Sequence, residues 1–89
     1  MSENPENRLK RLSMRSHRRG IKEMDIILGN YADEMLAGMD AGVLDLYEVM
    51  LDENDHDLYQ WVSGQVAPPE RFAALVGEIA AHADKTVRG

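Results

Sequence analysis

The densest cluster of oxygen donors in this 89-residue chain is Asp52-Glu53-Asn54-Asp55-His56-Asp57, and Asp52-x-Asn54 begins as an EF-hand calcium loop would. Such a loop needs Gly at its sixth position and a bidentate Glu at its twelfth. Asp57 and Ser63 stand there instead, so capping and solvation of a helix start explain the acids better than calcium does. His17, His56 and His82 lie far apart, with no H-x-x-H or H-E-x-x-H spacing. The hydroxyls of Ser2, Ser13, Ser16, Ser63 and Thr86 show no nucleophile elbow or paired base. There is no Cys and no Gly-rich phosphate loop. No enzyme with an active site of its own is expected, and no metal.

The segment Arg15-Ser16-His17-Arg18-Arg19-Gly20-Ile21-Lys22-Glu23-Met24-Asp25 offers a different chemistry, that of a docking patch. At about 100° per residue, Ile21, Met24, Leu28 and Tyr31 share one helical face. Arg19, Glu23, Ile26 and Asn30 point roughly the other way, with Ile27 at the edge. Apolar side chains beside a fixed Arg and Glu can form a partner surface. An Arg19–Glu23 surface pair worth about 0.3–0.5 kcal/mol, with both isoleucines buried by another helix, would read the same on a wheel. Wheel geometry leaves the two arrangements open.

Positioning these residues falls to elements with helical periodicity nearly throughout. Residues 6–16 carry Leu9 and Leu12 in a short basic helix, with Pro5 suited to its entry. Ile21, Met24, Leu28, Tyr31 and Met35 mark a longer helix in which Gly29 allows a kink. Asp40 caps a third helix bearing Val43, Leu44, Tyr47, Met50 and Leu51. Asp55 is the expected cap of a fourth, with Leu58, Trp61 and Val62 and a stop at Gly64. Pro68-Pro69 opens the last, whose core face is Phe72, Leu75, Val76 and Ile79. Met24, Met35 and Met50 read as core filler, and Met14 and Met39 are ambiguous. The expected fold is all-α: one domain, a compact bundle of about five short helices over residues 8–82, after a disordered lead (1–7) and before a frayed tail (83–89).

Charge sharpens the partner question. Residues 1–22 hold seven basic and two acidic side chains, residues 23–89 three basic and fourteen acidic, so +5 is followed by −11. The net −6 argues against general binding to nucleic acid or anionic membrane. No apolar run approaches the roughly 18 residues of a membrane span, and MSENPEN is unlike a secretory or transit leader. A small intracellular domain with a marginal core is expected.

Arg18-Arg19-Gly20-Ile21-Lys22-Glu23-Met24-Asp25 resembles the R-G-x-x-E signature, continued by a hydrophobic residue and Asp, of the small succinate dehydrogenase assembly factors. These are the bacterial flavinylation factors and their mitochondrial counterpart. A second block, Tyr47-Glu48-x-Met50-Leu51-Asp52-x-x-Asp55-x-Asp57-Leu58-Tyr59-x-Trp61, resembles the family's leucine-rich helix, D-x-D-L loop and following Trp. The likeness spans about residues 8–80, including the Pro-started last helix, and departs at Gly29-Asn30-Tyr31 and past His82.

The resemblance implies a non-catalytic, chaperone-like bacterial cytoplasmic factor. It would bind the flavoprotein subunit of succinate dehydrogenase, and in some bacteria of fumarate reductase, and promote autocatalytic covalent attachment of FAD. It implies a partner-binding set of Arg19, Gly20, Glu23 and Asp25 with Arg15 and Arg18 as neighbours, to which the wheel reading adds Ile26 and Ile27, and it implies that Asp55 and Trp61 support the fold. The factor is expected to hold no FAD tightly and to be a monomer when free. Gly20 would allow close backbone approach, and Arg19 and Glu23 would meet charged partner groups. A regulatory module of antitoxin type is the alternative. A helix-turn-helix DNA binder comes third, opposed by the acidic remainder. Since the signature straddles the charge boundary, the basic segment is read as a steering element.

Overall fold

Three short polar side chains set where helices begin. The computed structural model describes residues 3–88, with side chains described through residue 85. Asn4 accepts from the Glu6 amide at 2.8 Å and starts α1 (Pro5–His17), with Pro5 in the first turn where its missing N–H costs nothing. The helix thus takes in residues 5–7 of the expected disordered lead; residues 1–2 lie outside the described residues. Asp40 accepts from the Val43 amide at 2.9 Å and starts α3 (Ala41–Leu51). Asn54, not Asp55, caps α4 (Asp55–Val62), accepting from the His56 amide at 2.8 Å. The expected Asp55 cap is therefore corrected by one residue, because the Asp55 carboxylate is engaged elsewhere. Gly64 ends α4 at φ 85°, a conformation that only Gly adopts without strain. Helix α2 spans Lys22–Met35 and runs into a 3-10 turn at Leu36–Gly38. Helix α5 (Glu70–Arg88) continues through residues 83–88 of the expected frayed tail, and residue 89 lies outside the described residues.

The apolar stripes meet in one core. Leu12, Met24, Leu28, Tyr47, Phe72 and Ile79 are fully buried, with Tyr31, Met50 and Leu58 nearly so. Each large side chain so buried stabilises the fold by about 1.5–3 kcal/mol. The rings of Tyr31 and Tyr47 stack at 6.0 Å, and Trp61 lies 6.0 Å from Phe72. The buried Ser16 hydroxyl donates to Leu12 O at 2.8 Å, which leaves the Tyr47 hydroxyl to donate to Ser16 Oγ at 2.6 Å. Burial pushes the Tyr47 phenol up to about 12.

Two expectations from the periodicity fail locally. Met35 is 42% exposed rather than core filler. Helix α2 ends there, the 3-10 turn carries Leu36 inward, and Met35 is left on an open cleft beside Gly38, Met39 and Val43. Gly29 makes no break, since α2 is continuous across it. A Cβ at Gly29 would stand 2.6 Å from Nδ1 of His17, whose Nε2 pairs with Asp33 at 2.9 Å. Because His17 is exposed and can swing away, Gly29→Ala should trade that surface pair for helix propensity. The expected net change is within about 0.5 kcal/mol by urea denaturation.

Most of the basic segment is spent inside the molecule. Arg8 meets Asp45 at 2.6 Å and Glu48 at 3.2 Å, Arg11 meets Glu48 at 2.8 Å, and Arg15 meets Asp52 at 2.6 Å. The pairs advance in the same order along both helices, so α1 and α3 run parallel and are laced along one side. The Arg11 hydrogen bond holds the Glu48 carboxyl below its ordinary 4.5. A carboxylate lowered by folding stabilises above its unfolded pKa, and that contribution is lost as pH falls from about 4.5 through the lower folded value. Acid denaturation should therefore show a steeper stability loss below about pH 4.5 in the wild type than in Glu48→Gln.

Candidate functional site

The connection between α1 and α2, residues 18–21, carries the signature, and two distant carboxylates set its shape. Ile21 is extended, and its carbonyl accepts from the Asp25 amide at 3.0 Å, beginning α2. The Asp25 carboxylate reaches back to accept from the Arg19 backbone amide. Arg19 then turns its guanidinium inward, donating from Nε to Asp55 Oδ1 at 2.7 Å and from Nη2 to Leu51 O at 2.9 Å. The second Asp55 oxygen accepts from the Gly20 amide at 2.5 Å. With side chains only 8% and 17% exposed, Arg19 and Asp55 form a largely dehydrated pair. Arg19 also satisfies a terminal carbonyl of α3, where a cation is favoured by the helix dipole.

This clamp divides the expected site residues into two groups. Arg19 and Asp25 point into the loop and shape it; the Arg19–Glu23 surface pair considered from the wheel is replaced by Arg19–Asp55. Arg18, Gly20, Glu23 and Ile26 lie on the exposed side, Ile26 at 51%. Among the described residues Arg18 and Glu23 make no ion pair. Arg15 is exposed in part but tied to Asp52. Ile27 is half-buried and lines a groove of about 320 Å³ with Tyr59, Val62 and Ala80. Gly20 does not adopt a left-handed φ, so its need for Gly is one of space: a Cβ there would stand 3.0 Å from Asp55 Oδ2. Asp55 is thus the site's concealed member, 36 residues from Arg19. The resemblance alone pointed to it, as a supporting residue.

The arrangement suits binding rather than bond-making. Exposed Glu23 and Ile26 follow a pinned backbone loop, so a charge and an apolar side chain are presented with little freedom left to lose. Among the described residues no group of three or more His, Asp or Glu could hold a metal ion. A cleft of about 490 Å³ lies open along one face of α1, and the Gly20 amide is already donating to Asp55. Among the described residues no helix is long and apolar enough to cross a membrane.

Comparison with known proteins gives one consistent answer. Residues 10–83 match the family model described as "Flavinator of succinate dehydrogenase". The chain is 38% identical over 64 residues to a protein of Schizosaccharomyces pombe, covering 72% of this chain and 46% of that one. It is 42% identical over 73 residues to one of Arabidopsis thaliana, covering 81% and 38%. A third, from Aspergillus terreus, is 47% identical over 60 residues, covering 67% and 20%. All three bear the name "Succinate dehydrogenase assembly factor 2, mitochondrial". The chain spans less than half the length of each of these relatives.

Proposed function

The chain belongs to the family of flavinators of succinate dehydrogenase, and from that premise we propose that it binds the flavoprotein subunit of that enzyme and promotes covalent attachment of FAD to it. The observation that carries the reading is the exposed strip Arg18, Gly20, Glu23 and Ile26, held in one geometry by the Arg19–Asp55–Asp25 clamp. The chain supplies no catalytic group of its own, so it acts on the partner's conformational balance. Preferential binding of the attachment-competent conformer raises that conformer's population by the differential affinity, tenfold for each 1.4 kcal/mol or so. Arg18 and Glu23 orient the partner by opposite charges, Ile26 supplies apolar burial, and Arg19 and Asp25 act as positioning residues. FAD sits in the partner, and bond formation is left to the partner's own groups. Whether fumarate reductase is also served follows from which flavoproteins fit this strip.

The test combines purified protein, apo-flavoprotein subunit, FAD and a dicarboxylate, and reads flavin fluorescence retained on the denatured subunit. Attachment should be faster with the protein present; equal rates with and without it refute the proposal. Glu23 makes no ion pair among the described residues, so Glu23→Ala should leave urea stability within about 0.5 kcal/mol while slowing attachment several-fold.

A further inference from the structure

The outward face of α1 carries more than the signature requires. Asn7, Lys10, Arg11, Met14, Arg15 and Arg18 recur at intervals of three and four, lining the open cleft of about 490 Å³ that ends at the signature loop. In a chain of net charge −6, its lining contains no acidic side chain. Arg11 and Arg15 line it while paired, Arg11 with Glu48 and, through two hydrogen bonds, with Glu3, and Arg15 with Asp52. Lys10 and Arg18 make no ion pair among the described residues. Met14, at the centre, is 54% exposed, the most exposed large hydrophobic side chain among the described residues. A solvated helix face does not call for a thioether among cations; a flexible apolar side chain inside a ring of charge is what a binding surface has.

We propose that this face receives an acidic segment of the flavoprotein subunit, laid along α1 with an apolar side chain against Met14. The inference rests on the function proposed above and extends its contact from the signature loop to a second strip. From Asn7 to Arg18 the helix rises about 16 Å, the length of roughly five extended residues or three helical turns. Charge complementarity names the occupant. Anionic phosphate surfaces are opposed by the −11 carried on residues 23–89, which a protein segment meeting only this strip avoids.

The experiment measures affinity for the apo-flavoprotein subunit at several salt concentrations, for wild type, for Lys10→Glu, which lies outside the signature strip, and for Met14→Ser. Lys10 is exposed and makes no ion pair among the described residues, so Lys10→Glu should melt as wild type does. It should bind about tenfold more weakly, chiefly through slower association, with a shallower salt dependence. Met14→Ser should weaken binding with the wild-type salt dependence retained. Should wild type bind and accelerate flavin attachment while Lys10→Glu matches its affinity and salt slope, this inference falls and the proposed function stands. A salt-independent wild-type affinity also overturns it, whatever the variants do. Failure of wild type to bind the subunit removes both.

Discussion

Asp55→Ala should lower stability by about 2–4 kcal/mol, more than any other single change at the exposed rim of the bundle. The substitution leaves the Arg19 guanidinium, 8% exposed, without its carboxylate and the Gly20 amide without its acceptor. Breaking one side of a largely dehydrated pair costs far more than the pair contributes net, because the remaining charge cannot be rehydrated in place. For a domain of this size the midpoint of thermal unfolding should fall by roughly 10–25 °C. Asp55→Asn keeps an oxygen for the Gly20 amide but loses the charge on its bond to Arg19, so about half the loss is expected. Urea and thermal denaturation followed by circular dichroism measure both. A change within about 0.5 kcal/mol for Asp55→Ala would show that the clamp contributes little to folding. Below its lowered midpoint the variant should still attach flavin slowly, since the loop it no longer holds is the one that carries the docking strip.

Gly20→Arg should produce the largest functional loss at the smallest structural cost. Gly20 is exposed and its Cβ would start toward Asp55, so the long arm of an arginine must be placed at the surface of the loop that carries Arg18 and Glu23, where the partner is proposed to sit. Internally the change is mild. A Cβ meets Asp55 Oδ2 at 3.0 Å, a contact that a shift of a few tenths of an ångström relieves, and the backbone conformation suits any residue. We expect about 1 kcal/mol of destabilisation and at least a tenfold slower attachment of flavin to the apo-flavoprotein subunit. Gly20→Ala makes the comparison decisive, because it brings the same internal contact without the projecting arm. Alanine should keep most of the activity. If alanine and arginine impair attachment equally, the glycine serves the fit to Asp55, and the close approach of a partner at this position is refuted.

Helix placement was legible because it depends on neighbours three and four residues apart. The stripe Ile21, Met24, Leu28, Tyr31 and the core face of α5 follow from that spacing, and so does the stop at Gly64. The errors lie where a local rule met a tertiary demand. Asp55 is as good a cap as Asn54 by residue type, and the choice between them was made by Arg19, a residue that reaches it only after α1 and α3 are packed. Met35 satisfies the helical period, yet the chain turns at that point and Leu36 takes the inward place.

The charge boundary shows the same division at larger scale. By itself the amino-acid order determined that the chain is helical and that Arg19, Gly20 and Glu23 fall together at a junction of basic and acidic segments. It could not say where those charges point. Read along the chain, seven cations in residues 1–22 look like an arm offered to a partner. Folded, Arg8, Arg11, Arg15 and Arg19 turn to Asp45, Glu48, Asp52 and Asp55, and Lys10, Arg18 and Lys22 are left exposed without an ion pair among the described residues. Periodicity reports which residues share a face of one helix. Which acid lies 36 or 37 residues away across a parallel helix pair is settled only by packing, and packing here converted a polyanion-seeking arm into a laced support with one narrow basic strip.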